Sequence, residues 1–289
     1  MPTTVCCYGF RIGELQCACL LDGYLRCSSE QDYPNRLRSQ RKAAIQPVVP
    51  LINLLIDTGE DKILVDSGAD EWIPGAGNLV HAMGEIGIQP GEITHVIITH
   101  AHPTNIGGVL DHQGRLVFAN ASFVMAREEW EFWFSASARD RVADQDIVIA
   151  RLNLEPLKNK VILTRGEEEL LPGFRVIPSP GHTPGHLAVS LQSAGDRLLH
   201  VGDAALQPRN LEHPDWLTPL DLNQDQAVES RRRLVELATR GKCLVLGTHF
   251  SPFPGLGKIR EHGNDWTWRC LSLKTHLEEY PIKAGTLLR

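Results

Sequence analysis

The chain has 289 residues, enough to bury a substantial core, and its 29 Lys and Arg against 35 Asp and Glu give a formal charge of −6. This charge, with no basic block beyond Arg231–Arg233, argues against a nucleic-acid partner. No stretch reaches the roughly 18 apolar residues that span a bilayer, and residues 1–15 lack the pattern of a signal peptide. We therefore expect a soluble, cytoplasmic protein with no membrane partner.

Seven cysteines are present, and five of them lie in the first 27 residues without C-x-x-C spacing: Cys6, Cys7, Cys17, Cys19 and Cys27. Cys17 and Cys19 alternate with Leu15 and Leu21, which is the period of a strand with one buried face. The pattern favours thiols on the inner face of a strand over a metal or disulfide site.

Apolar runs separated by turn residues predict several elements in the first half. Residues 50–57 and 62–66 flank a Thr-Gly-Glu-Asp turn and predict a hairpin, and residues 79–88 have a helical pattern. Residues 96–98 predict a buried strand that ends at Thr99-His100. Further along, the pattern indicates a strand at 122–125 and an aromatic-rich helix that begins at 127–134.

The second half repeats the arrangement of a strand followed by a polar loop. A strand at 174–177 leads to the loop Gly-His-Thr-Pro-Gly-His at 181–186, whose glycines and proline exclude a helix. The remaining predictions are a hairpin of 187–191 with 197–201 that ends at Gly202-Asp203-Ala204, a helix from 223 to 240 stopped by Gly241, and a strand at 243–246 that ends at Gly247-Thr248-His249.

Four predicted strands therefore end in loops that carry histidine or aspartate. Taken alone, each such residue is more often a surface, core or turn residue than a metal ligand. The combination indicates a metal site, because His100 and His102 are spaced i, i+2 in a glycine-containing loop and can point at one cation. Neutral imidazoles with a carboxylate are typical ligands of catalytic Zn²⁺ or Fe²⁺.

These motifs resemble the metallo-β-lactamase fold superfamily of metal-dependent hydrolases. The resemblance covers about residues 50–257 and rests on five motifs in order. They are Asp66-Ser67-Gly68, the histidine loop at 99–108, the loop at 181–186, Gly202-Asp203-Ala204 and Gly247-Thr248-His249. It implies an α/β fold in a four-layer αββα sandwich, with two mixed β-sheets flanked by helices. We expect residues 1–289 to form a single domain.

The histidine loop departs from the family pattern. In the family, His100, His102 and His182 would bind the first metal, and Asp203 would bridge to a second metal that His249 also binds. The family pattern His-x-His-x-Asp-His has Asp and His at positions 104 and 105, where this chain has Thr and Asn. The resemblance thus implies one ion, with Zn²⁺ favoured and Fe²⁺ or Mn²⁺ as alternatives.

The altered loop also changes the expected mechanism. A water activated by one metal can still attack, with Asp203 or His249 as the general base. We expect Asn105 to hydrogen-bond the water or the substrate oxyanion. Three further residues are expected around the ligands without binding the metal: Asp66, which would orient a ligand histidine, Thr104, and His186, which the family uses to support its loop.

The substrate is predicted from a narrower resemblance. The segment at 127–134 and an N-terminal extension, residues 1–48, packed on the domain resemble the lactonase and organophosphate-hydrolase branch. That branch implies an apolar pocket, here with Trp130, Trp133 and Phe250 as candidate walls, and a homodimer contact. Core packing explains the tryptophans equally well.

We therefore expect a metal-dependent hydrolase of a small neutral ester or lactone with a mononuclear site. The alternatives are a non-catalytic or substrate-sequestering member of the fold, because Thr104 and Asn105 replace ligands, and an iron-dependent oxygenase that uses the same first site.

Overall fold

Two sheets of seven strands each organise the computed structural model, which describes residues 6–26, 48–263 and 265–271. The first sheet follows chain order, with strands β1 (Cys7–Ile12), β2 (Leu15–Arg26), β3 (Val48–Asp57), β4 (Lys62–Val65), β5 (His95–Ile97), β6 (Ser122–Ala126) and β7 (Val161–Thr164). Strands β1 to β4 pair antiparallel, and β4 to β7 pair parallel. The predicted hairpin is the β3–β4 pair.

The strands of the second sheet also lie in chain order, from β8 at one edge to β14 at the other. Its strands are β8 (Glu168–Leu171), β9 (Phe174–Pro178), β10 (Leu187–Ser193), β11 (Asp196–His200), β12 (Leu244–Leu246), β13 (Leu256–His262) and β14 (Asp265–Cys270). All neighbours pair antiparallel except β11 and β12, which are parallel. Both sheets are therefore mixed.

Helices cover the outer faces of the two sheets. They are α1 (Leu79–Glu85), α2 (Pro103–Ile106), α3 (Arg127–Phe134), α4 (Asp144–Leu154), α5 (Pro208–Glu212) and α6 (Gln224–Arg240). The longest, α6, matches the predicted helix, and the Asn223 side chain caps it by accepting a hydrogen bond from the Gln226 amide.

Strand β3 shows why its sequence is apolar along almost its full length. Ile52, Leu54 and Ile56 pack between the two sheets, whereas Leu55 packs in the core under the outer helices. A strand buried on both faces needs apolar residues at successive positions rather than at every second one. A third core lies between the second sheet and α6. The four layers confirm the predicted αββα sandwich.

Residues 7–26 of the predicted N-terminal extension form β1 and β2, and β2 pairs with β3. Cys17 and Cys19 lie in the core between the sheets, as their alternation predicts. The described cysteines are free thiols, and Cys27 lies outside the described residues. The extent of the domain over residues 1–289 stays a prediction.

Candidate metal centre

Four loops bring the predicted ligands together at one edge of the sandwich. His100 and His102 follow β5, His182 lies between β9 and β10, Asp203 follows β11, and His249 follows β12. The sheets hold the strand ends at fixed positions, and the loops that leave them can therefore converge on one point.

The ligand atoms lie at distances that suit a single ion. His102 Nδ1 is 2.9 Å from His100 Nε2 and 3.0 Å from His182 Nε2. Asp203 Oδ2 is 3.6 Å from His100 Nε2 and 3.7 Å from His182 Nε2. A tetrahedral ion with bonds of about 2.0–2.1 Å separates its ligand atoms by about 3.3 Å. The three histidine nitrogens therefore suit one ion, and Asp203 Oδ2 lies near two of them as a candidate carboxylate ligand.

Burial sets the protonation states that such an ion requires. It lowers the pKa of His100 well below its usual value and the pKa of His102 to about 3, which makes both imidazoles neutral at pH 7. Burial also acts to raise the pKa of Asp203, but His249, His100 and His182 hold it well below its usual range. Asp203 Oδ1 is buried and, among the described residues, has no hydrogen-bond partner. Neutral imidazoles beside an incompletely paired carboxylate form a donor set suited to Zn²⁺ or Fe²⁺.

His100 is oriented by Asp66 through an intervening threonine. The Thr99 hydroxyl lies 2.8 Å from Asp66 Oδ2 and 3.1 Å from His100 Nδ1. A carboxylate only accepts, and the hydroxyl therefore donates to Asp66 and accepts from His100 Nδ1–H. This arrangement leaves the Nε2 lone pair facing the centre. Asp66 was predicted to orient a ligand histidine by a hydrogen bond, and the structure places Thr99 between the two residues.

His182 is held by a buried ion pair. Its Nδ1 lies 3.3 Å from Asp221 Oδ1, and Asp221 Oδ2 accepts a hydrogen bond of 2.8 Å from Arg231. The Arg231 guanidinium is fully buried and also donates to the carbonyls of Pro214 and Trp216. A carboxylate that orients a ligand histidine and is itself anchored is a recurrent feature of metal sites.

Glu129 of α3 connects the two histidine loops. Its Oε1 accepts from the Ala101 amide at 3.0 Å and the Trp133 indole at 2.7 Å. Its Oε2 accepts from the Thr183 hydroxyl at 2.7 Å and the Gly185 amide at 3.0 Å. Burial raises the pKa of Glu129, and these four donors oppose that shift. The carboxylate therefore fixes the loop of His100 and His102 relative to the loop of His182.

His186 supports the segment that carries the carboxylate ligand. Its Nε2 accepts from the Asp203 amide at 2.9 Å, and the Nδ1 proton is thereby directed to Ser179 Oγ at 2.8 Å. Gly202, at φ +53°, lies so close that a Cβ there would be 2.7 Å from His186 Nε2. The supporting role predicted for His186 thus acts on the Asp203 backbone.

His249 contacts the same oxygen of the Asp203 carboxylate as His100 and His182. Its Nε2 is 3.2 Å from Asp203 Oδ2, and its Nδ1 is 3.2 Å from the Pro50 carbonyl. The Pro50 carbonyl and the Asp203 carboxylate both only accept, and both ring nitrogens of His249 therefore face acceptors. Burial acts to lower the pKa of His249, but Asp203 raises it above its usual value. Neither His249 nor Asp203 belongs to the cluster of three histidines whose ligand atoms lie within 4.8 Å of one another.

Asn105 makes its side-chain hydrogen bonds to residues other than the proposed ligands. Its Nδ2 donates to Asp66 Oδ2 at 3.0 Å, and its Oδ1 accepts from the Thr104 hydroxyl at 2.6 Å. Its backbone carbonyl accepts from the Ser67 amide and hydroxyl, and the whole residue is buried. Asp66 and Thr104 therefore engage both polar atoms of this side chain, and a contact of Asn105 with the water or the substrate stays a prediction.

A cleft of about 360 Å³ opens over His102, His182, Asp203 and His249. Thr104, Arg141 and Asp146 add polar groups to its lining. The apolar wall residues are Leu25, Val49, Ile73, Pro103, Val142, Leu206, Pro219, Leu220 and Leu222. Its size and mostly apolar wall suit a small organic ligand.

The three predicted pocket walls do not line this cleft, which corrects their assignment. Trp133 is fully buried, donates to Glu129 and lies edge-on to the His102 ring at 5.6 Å. Trp130 packs on Phe134 against the core between the first sheet and its outer helices. Phe250 is buried in the core between the second sheet and α6. The cores take these aromatic side chains because they are the largest apolar groups on the inner faces of their segments.

Sequence reasoning missed the groups that orient the ligands: Thr99, Glu129, Asp221 and Arg231. Only Glu129 left a signal, as a carboxylate on the apolar, aromatic-rich start of a helix. Such a buried charge needs several donors, and their source in two distant loops is not evident from the sequence.

Comparison with known proteins identifies the family. The family model of the metallo-β-lactamase superfamily matches residues 53–248, more than half of the chain. The chain therefore belongs to the metallo-β-lactamase superfamily, and the fold and the site define it as a metallohydrolase of that family.

Its relatives include lactonases. The N-acyl homoserine lactonase AiiA of Bacillus thuringiensis subsp. kurstaki is 26% identical over 223 residues, which cover 70% of this chain and 81% of that protein. The structure of AidC, a dizinc quorum-quenching lactonase in complex with a product, N-hexanoyl-L-homoserine, matches with a TM-score of 0.83 and 27% identity over 92% of this chain and 97% of AidC. The hydrolase AbOPH matches with the same TM-score at 21% identity over 93% and 99%, which shows the fold alone. These relatives support the predicted lactonase branch.

Within the described residues, no helix is long and apolar enough to cross a membrane. The cytoplasmic location and the homodimer stay predictions.

Proposed function

We propose that the protein hydrolyses a small neutral lactone or ester at a centre that binds one divalent metal ion, with Zn²⁺ as the favoured ion. The observation that carries the proposal is the contrast around Asp203. His102 Nδ1 lies 2.9 and 3.0 Å from the nitrogens of His100 and His182, and Asp203 Oδ2 lies 3.6 and 3.7 Å from those same two nitrogens. Beyond these, His249 is the one imidazole among the described residues that contacts this carboxylate.

The hydrogen bonds of Asn105 support a single ion. A second ion beside Asp203 and His249 would need further donors, and both side-chain polar atoms of Asn105 are already bonded to Asp66 and Thr104. To bind a metal, Asn105 would have to break both hydrogen bonds and would leave a buried carboxylate less satisfied. An amide oxygen would then gain only a weak contact with Zn²⁺.

A divalent ion bound here would lower the pKa of a water molecule toward about 7 and polarise a substrate carbonyl. We assign the proton acceptor to His249. It lines the cleft, with Nδ1 facing the Pro50 carbonyl and Nε2 facing Asp203. A divalent ion on Asp203 would oppose the raised pKa of this imidazole and favour the neutral form that can take up a proton at Nε2. Asp203, paired with His249 at 3.2 Å, would stabilise the imidazolium formed when that proton is taken up.

The cleft supports a neutral substrate with an apolar arm. Its described wall is mostly aliphatic, and the guanidinium of Arg141 in that wall donates to the Leu222 carbonyl and lies over the Phe132 ring. A phosphorylated or multiply charged substrate would find few compensating groups there. The relatives named as N-acyl homoserine lactonases make N-acyl homoserine lactones the first substrates to test.

The test is hydrolysis of N-hexanoyl-homoserine lactone, followed by proton release, with protein loaded with Zn²⁺ and with protein treated with a chelator. We expect turnover that chelation removes and Zn²⁺ restores. Saturable binding of the lactone without turnover would favour the substrate-sequestering alternative. Turnover that consumes oxygen with Fe²⁺ but not with Zn²⁺ would favour the oxygenase.

A further inference from the structure

One polar group in the cleft, the Asp146 carboxylate, has no role in the proposed metal centre. Asp146 lies in the first turn of α4 and lines the cleft together with His102, Thr104 and Asp203. Its side chain is partly buried, and burial raises its pKa with no opposing contribution. Among the described residues its carboxylate has no hydrogen bond and no ion pair.

The other polar groups of the cleft are already engaged. His102, His182, Asp203 and His249 belong to the centre, and the Thr104 hydroxyl donates to Asn105. The neighbouring cation, Arg141, donates to Leu222 and makes no ion pair with Asp146. An unpaired carboxylate against an aliphatic wall is costly, and the cost is removed when a ligand supplies a donor.

We propose that Asp146 accepts a hydrogen bond from the amide N–H of a substrate whose acylamino arm lies along the cleft, and so selects N-acylamino lactones over lactones without that donor. The inference rests on the proposed function and adds a specificity residue to it. Asp146 does not contact the reacting atoms. It positions the arm, and its contribution therefore appears in KM rather than in kcat.

A structural explanation is also available, because carboxylates in the first turn of a helix stabilise it electrostatically. The same turn provides the control. Asp144 is exposed and outside the cleft lining, and its removal changes the charge of the helix start by the same amount. An effect specific to Asp146→Ala and absent from Asp144→Ala is therefore an effect of the cleft.

The experiment compares N-hexanoyl-homoserine lactone with its N-methylated amide, which keeps the carbonyl and lacks the N–H. For the first substrate we expect Asp146→Ala to raise KM about tenfold or more with kcat little changed, the size of a lost charge-assisted hydrogen bond. For the N-methylated substrate KM should not rise, and Asp144→Ala should leave both substrates unaffected.

Equal changes in KM for the two substrates, or no change for either, would overturn the role of Asp146 and leave the proposed function intact. Failure of the unaltered, Zn²⁺-loaded protein to hydrolyse either lactone would overturn both. Thermal unfolding of the two variants checks that each is folded.

Discussion

The two sides of Asp203 differ in how they are held. On one side, the Nδ1 atoms of His100 and His182 each make a hydrogen bond to an anchored partner. His100 is connected to Asp66 through the Thr99 hydroxyl, and His182 contacts Asp221 directly. On the other side, in place of a second set of ligands, Asn105 is hydrogen-bonded to Asp66 and Thr104. Ligand identity is therefore only part of a metal site, because the first side is defined equally by its orienting partners.

Substitution of His249 should separate the two sides most strongly. We expect His249→Gln to lower kcat by roughly 10²–10⁴-fold through loss of the proton acceptor, with the metal retained. His81→Ala, at an exposed histidine, is the control. Metal content and kcat are measured on the same preparations. Loss of the metal together with the activity would make His249 a ligand and contradict the comparison.

Substitution of Asp221 tests the orienting partners of the first side. Asp221→Asn should weaken metal affinity by about 10–100-fold, since His182 loses an anionic acceptor and Arg231 loses its counter-charge. The matched control is Asp215→Asn, which breaks an exposed aspartate–arginine pair with Arg232. Competition with a chromogenic chelator measures the affinity. Equal affinities of the two variants would show that Asp221 does not support the site.

Glu129 connects the loops of the first side, and its effect should appear chiefly in stability. A glutamine there turns an amide NH₂ toward groups that are themselves donors, and we expect Glu129→Gln to lower the free energy of unfolding by about 1–3 kcal/mol. Glu131→Gln, on the exposed face of the same helix, should change it by less than about 0.5 kcal/mol. Denaturant titration distinguishes them. Similar values for both variants would mean that the Glu129 contacts add little.

The fold could be predicted from the sequence because its signals are local. The hairpin of β3 and β4, helix α6 and the buried Cys17 and Cys19 each follow from periodicity and turn residues within about 20 positions. The candidate ligands at the strand ends could also be predicted, because each lies in a glycine-containing loop that directly follows an apolar strand.

The remainder depends on contacts between distant segments. Glu129 and the loop residue Thr183 are 54 positions apart, and Asp221 and His182 are 39 apart. No local pattern predicts such pairs. Asn105 was predicted to contact the water or the substrate because its position in the loop normally binds metal, and its hydrogen bond to the distant Asp66 could not be predicted from the loop alone. Trp133 and Phe250 were predicted to line the pocket, whereas the structure packs each of them in a hydrophobic core.

The number of metal ions per chain tests the account most directly. Protein purified without added metal, then equilibrated with Zn²⁺ and freed of excess, should contain one equivalent by elemental analysis. The variant carrying Thr104→Asp with Asn105→His should approach two. Two equivalents in the unaltered protein would contradict a one-metal centre, and less than a tenth of an equivalent would contradict a metal centre of any kind.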